Sequence, residues 1–224
     1  MRDPLFLAGR PNGRSQKSAR KILAFTWAIA GLGILAAPAY AHHPFGGQTP
    51  ANALEGILSG LGHPVIGFDH LVFVVAIGLL GAFKPKGVIL PVAFVIATLL
   101  GTGIHLLGWD LPAPELIISA SVFSLGLLLA LGRHLNVFAL AGLGALAGLF
   151  HGYAYGEAIV GAEMTPLVAY LLGFGSIQLA IAISAQTLVQ RLFQGERATQ
   201  LPVRFAGFTI LGIGITLLST FVVG

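Results

Sequence analysis

Residues 61–83 read LGHPVIGFDHLVFVVAIGLLGAF. From Pro64 to Phe83 the run is apolar except for Asp69 and His70, and His63 stands just before it. About twenty such residues, at about 1.5 Å of rise each, span a hydrocarbon core about 30 Å thick. The run therefore predicts a membrane-spanning helix over 64–83. An aspartate near the middle of such a span costs about 2.5–3.5 kcal/mol on insertion scales. His63, Asp69 and His70 are thus the first groups that call for a functional reason.

The rest of the chain has the same character. Of 224 residues, 56% are hydrophobic and only 9% are charged, and the mean hydropathy is +0.89. Soluble domains carry about 25% charged residues. The long apolar runs are continuous rather than alternating, which excludes a β-barrel and predicts an all-α, polytopic membrane protein. There is no cysteine, so disulfides and thiolate metal sites are excluded, leaving imidazole and carboxylate as metal ligands.

Residues 1–21 carry Arg2, Arg10, Arg14, Lys17, Arg20 and Lys21, followed by an apolar stretch and the small-x-small end Ala39-Tyr40-Ala41. This order reads as a signal peptide over 1–41, cleaved after Ala41. The mature chain then starts with His42 and His43, whose ring nitrogens and the new α-amine are weak metal donors at a flexible end. Residues 42–63 form an outer N-terminal segment, with a short amphipathic surface helix over 50–62 that shows Leu54, Ile57, Leu58 and Leu61 on one face. Residues 64–224 form a domain of six transmembrane helices, predicted over 64–83, 88–108, 114–132, 136–158, 165–189 and 203–223.

Charge fixes the expected orientation. In the mature chain every lysine and arginine (Lys84, Lys86, Arg133, Arg191, Arg197 and Arg204) falls in the first, third or fifth loop. The positive-inside rule makes those loops cytoplasmic and puts both mature termini outside the inner membrane. Glu55, Asp110, Glu115 and Glu163 then lie on the outer side, where they raise the local cation concentration. The net charge of +4 serves orientation and not nucleic-acid binding.

On the expected helices His70 and His151 fall at similar depth, His105 slightly higher, and Tyr155 one turn above His151. On a straight helix from Pro64, His63 and His70 would stand about 10 Å apart along the axis, too far to share one ion unless the segment bends. Asp69 can bind the same ion as His70 or act as that ligand's hydrogen-bonding partner. Histidine with oxygen donors suits nickel, cobalt, zinc or copper(II). His134, beside Arg133, reads as a solvated loop residue.

The spacing His63-x5-Asp69-His70, together with Phe150-His151-Gly152-x-Ala154-x-Gly156, resembles the HupE/UreJ family of nickel and cobalt permeases. The resemblance covers the mature chain, and it implies that His63, Asp69, His70 and His151 carry transport. Two departures mark this sequence. Tyr155 replaces the family's second histidine, and Glu157 comes one place before the family's glutamate, where Ala158 stands. His105, Tyr155 and Glu157 are added as further candidate ligands.

No Gly-x4-Gly-Lys-Ser/Thr motif occurs, so the expectation is a secondary permease importing nickel or cobalt. It is not an enzyme, and it holds no permanently bound cofactor. Its partners are the divalent ion and the bilayer. The main rival reading is an intramembrane zinc hydrolase, with the same histidines holding a catalytic ion and Asp69 or Glu157 as base. A scaffold subunit is a third reading, under which the histidines would be dispensable.

Overall fold

A computed structural model describes residues 20–21, 23–24, 49–132, 135–193 and 200–223. The cleavage expected after Ala41, the pair His42 and His43, and His134 lie outside the described residues. From residue 53 onward the chain forms α1 (Ala53–Ile66), α2 (Phe68–Gly81), α3 (Ile89–Leu106), α4 (Pro114–Leu131), α5 (Val137–Glu157), α6 (Met164–Leu192) and α7 (Gln200–Val223). No strand occurs among the described residues. The helices α3 to α7 are each long and apolar enough to cross a membrane, and α1 with α2, bent by 79° at their break, passes the same test only as a pair, as one broken span or a re-entrant loop. Large apolar side chains such as Leu100, Trp109, Phe138, Leu172 and Phe208 point outward from the bundle. In water such a surface would be unstable, and in lipid it needs no cover. The chain is an all-α, multi-pass membrane protein.

Five of the six expected spans match α3 to α7 to within a turn. The first does not, because the helix does not begin at Pro64. It begins at Asn52, whose side chain accepts the Glu55 N–H at 3.0 Å while Glu55 accepts the Ala51 N–H at 2.8 Å. These paired bonds satisfy donors that a helix start leaves open. Pro64 then lies inside α1, in its last turn.

α1 docks on the bundle by the side opposite its leucine face. Leu54, Ile57 and Leu58 are exposed, and the buried side is Gly56, Ser59, Gly60, His63 and Pro64. A Cβ at Gly60 would run into the backbone of α6 at Tyr170. The absence of side chains on that stripe lets α1 dock backbone to backbone on α6, as small-residue stripes do in membranes.

α2 occupies the centre, with Phe73, Val74, Ala76 and Ile77 fully buried, which suits a helix that is apolar on every side. Around it α3 packs on α5 and α4 on α7. Gly152 lies against the backbone of α3 at Thr98, and Gly207 against α4 at Ala130. Cationic side chains tie one end of the bundle together. The Lys84 ammonium donates to the Leu135 carbonyl at 2.9 Å, and Arg204 Nε to the Ala130 carbonyl at 2.9 Å. The Ala130 bond satisfies a carbonyl at the C-terminal end of α4, where positive charge is favoured. The histidines lie toward the opposite end.

Candidate functional site

The site begins with the break between α1 and α2. Gly67, at φ −68° and ψ 99°, leaves the helical region, and its N–H still reaches the His63 carbonyl at 2.9 Å. A Cβ at this position would lie 2.6 Å from His70 Cδ2. Only glycine lets the chain turn this close to the imidazole. The turn folds α1 back so that the His63 and His70 rings stand 5.9 Å apart, edge to face. The separation expected along a straight axis does not apply, because the axis is broken between the two residues.

α5 brings the third histidine. His70 Nδ1 and His151 Nδ1 lie 2.7 Å apart. On its other side His151 Nε2 lies 3.0 Å from Ser121 Oγ of α4, and the Ser121 hydroxyl donates to the Ile118 carbonyl at 2.6 Å. Phe73 covers the His151 ring at a centroid distance of 4.3 Å. His63, His70 and His151 are all buried, at 1%, 1% and 0% exposure. Sequence positions 63, 70, 121 and 151 thus converge from four helices.

Two tyrosines complete the surroundings. Tyr170 of α6 donates its O–H to the Tyr155 carbonyl at 2.8 Å and lies 2.8 Å from His63 Nδ1. A carbonyl only accepts and a phenol has one hydrogen, so His63 Nδ1 carries the hydrogen that meets the Tyr170 oxygen. Its Nε2 therefore carries the lone pair. The Tyr155 ring packs on His70 at 4.5 Å and on His63 at 4.9 Å. Tyr155 is fully buried, and its hydroxyl has no hydrogen-bond partner among the described residues.

Asp69 serves the break as well as the site. Its Oδ1 accepts the His70 N–H at 2.8 Å, a bond that satisfies an open donor at the start of α2, where negative charge is favoured. The same oxygen lies 4.0 Å from His70 Nε2.

The other candidates fall elsewhere. His105 meets Tyr153 edge to face at 4.4 Å and lies over Gly156. Tyr153 in turn donates to Asp110 at 3.3 Å. That group occupies a different side of α5 from Tyr155. Glu157 is exposed at the last residue of α5, which stays helical throughout, so nothing swings its side chain toward His151. Thr98 and Thr102 hold helices together: Thr102 donates to the Gly152 carbonyl at 2.8 Å.

Sequence reading passed over Ser121 and Tyr170. Each is a hydroxyl inside an apolar span, the only trace either leaves in the sequence. Among the described residues no group of three or more His, Asp and Glu side chains is preassembled around one point. The His70–His151 distance shows why. Two nitrogens bound to one ion at about 2.0–2.1 Å stand roughly 2.8–3.4 Å apart at the usual ligand angles, so the two rings, which face each other across 2.7 Å, have to part and turn before both lone pairs meet one ion.

Known proteins resemble this chain over most of its length. The family model described as HupE / UreJ protein matches residues 29–217. Protein HupE of Rhizobium leguminosarum bv. viciae is 31% identical over 189 residues, covering 84% of this chain and 94% of that protein. No solved structure matches the chain.

Proposed function

The chain belongs to the HupE/UreJ family, and from that premise we propose that it is a secondary permease that imports a divalent nickel or cobalt ion across the cytoplasmic membrane. The observation that carries the reading is the buried trio His63, His70 and His151, with two Nδ1 atoms 2.7 Å apart inside an apolar bundle. Buried imidazoles in lipid are costly unless hydrogen-bonded or bound to a ligand. Histidine nitrogens with a few oxygen donors are the set that nickel and cobalt prefer.

His70 and His151 are the central ligands. Parting and turning the two rings lets both Nδ1 atoms meet one ion. His63 Nε2 and the Tyr155 hydroxyl are the next donors within the same cluster. Asp69 orients His70 and balances the ion's charge. The acidic end of the bundle, with His42 and His43, gathers ions from outside, and the basic end faces the cytoplasm. An inside-negative potential is worth about 2.3 kcal/mol per charge per 100 mV, so a divalent ion gains about 4.6 kcal/mol, roughly a two-thousandfold accumulation. No bond-making chemistry is required of the protein. Nothing favours the hydrolase reading: of its two candidate bases, Asp69 accepts the His70 N–H through Oδ1 and Glu157 is exposed at the end of α5.

The test is uptake of radioactive nickel(II) and cobalt(II) by cells expressing the wild type, His70→Ala or His151→Ala at matched membrane levels. Both variants are expected to lose uptake. Wild-type uptake by either variant would remove the proposed site.

A further inference from the structure

We infer that Ser121 is a positioning residue of this site: it decides which nitrogen of His151 carries the hydrogen, and thereby turns the other nitrogen's lone pair toward His70. The inference rests on the metal-site reading above and deepens it.

The Ile118 carbonyl only accepts, and Ser121 has one hydroxyl hydrogen, which it donates to that carbonyl at 2.6 Å. Toward His151 Nε2, 3.0 Å away, the Ser121 oxygen must therefore accept. Nε2 of His151 carries the hydrogen and Nδ1 carries the lone pair. That lone pair points at His70 Nδ1, 2.7 Å away, which supplies the single hydrogen between the two rings. On His151 the nitrogen that an incoming ion needs is thus held deprotonated by a hydroxyl on the far side of the ring, while His70, to bind through its own Nδ1, must first move that hydrogen to Nε2, which lies 4.0 Å from Asp69 Oδ1. Ligating histidines in metal sites are fixed in the same way by a partner on their other nitrogen.

Ser121 lies in the wall of a groove of about 230 Å³ between α4 and α5, lined mostly by apolar residues such as Ile117, Ala120, Leu125 and Leu146. The other hydroxyl in that wall, Ser124, donates to the Ala120 carbonyl at 2.7 Å, and it is Ser121 that meets His151 Nε2. Ser121→Ala removes that acceptor. The ring keeps one good hydrogen bond by reversing its tautomer, so that Nδ1–H donates to His70 and the lone pair turns to the groove. To bind an ion through Nδ1, His151 must then return its hydrogen to Nε2, where the hydroxyl that accepted it is gone. Ser121→Thr keeps the hydroxyl and has the groove to receive the extra methyl.

Two measurements on the full-length protein test this. The first is 15N NMR of histidine-labelled protein in lipid nanodiscs without metal, with His151 assigned by its loss in His151→Asn. The wild type and S121T are expected to show His151 hydrogenated at Nε2, and S121A at Nδ1. The second is uptake of radioactive nickel(II) as a function of concentration. S121A is expected to raise the half-saturating concentration about 10- to 100-fold, the usual effect of removing a ligand's partner, and S121T to recover most of that loss. An unchanged tautomer in S121A overturns the inference, as does an S121T as impaired as S121A. The two levels of failure separate cleanly. Undiminished uptake by His151→Ala removes the transport site, while the NMR result still decides what Ser121 does to the ring.

Discussion

The sharpest test of how the site is assembled is Gly67→Ala. The backbone at Gly67, φ −68° and ψ 99°, lies in the extended region open to any L-residue, so alanine brings no backbone strain. Its only fault is contact. The new Cβ would stand 2.6 Å from His70 Cδ2, where ordinary contact begins at 3.4 Å. The imidazole must retreat by about 0.8 Å, and it is wedged between His151 Nδ1 at 2.7 Å and the Tyr155 ring at 4.5 Å. Overpacking of this kind costs about 1–3 kcal/mol. Stiffening the unfolded chain returns about 0.4–1 kcal/mol, so the net loss of stability is modest. Function should suffer more, because binding geometry tolerates only about 0.5 Å, and a misplacement of about 1 Å is worth about a hundredfold in rate. We expect a folded protein whose thermal unfolding moves by a few degrees and whose nickel uptake falls at least tenfold. Nickel uptake by G67A with wild-type half-saturation and maximal rate would refute the view that the bend at Gly67 sets the position of His70.

Tyr155→Phe keeps the ring on His63 and His70 but removes a buried hydroxyl without a partner among the described residues. Such a group costs about 1–3 kcal/mol, so the variant is expected to unfold at a higher temperature than the wild type while binding nickel more weakly. Calorimetry and uptake on the same preparation check the two opposite signs. Gly152→Ala drives a Cβ into the α3 backbone at Thr98, where neither helix can yield without losing the Thr102 bond to the Gly152 carbonyl. A loss of several kcal/mol is expected, read as a fall in the yield of monodisperse protein after detergent extraction.

Most of the fold was legible in the sequence, and the reason lies in how membranes select it. Span length follows from apolar run length, which each segment carries by itself, so α3 to α7 fall where hydropathy puts them. The first span is displaced at its start, because Pro64 lies in the last turn of α1 and the break falls at Gly67. The start at Asn52, with Glu55 three residues on, already had its own paired hydrogen bonds. The leucine face of α1 stays exposed, and its glycine face is the one that packs on α6.

The sequence alone determined an all-α membrane protein, the distribution of its charges, and the identity of the residues that carry the family likeness. These are local or additive properties, summed residue by residue along the chain. Only the tertiary structure decided that His63 meets His70 across a 79° bend, that His105 and Glu157 lie apart from them, and that Ser121 stands behind His151. Each of those outcomes depends on how closely two backbones approach and on which hydroxyl a ring nitrogen then meets. Such contacts join positions that spacing along a single helix cannot relate.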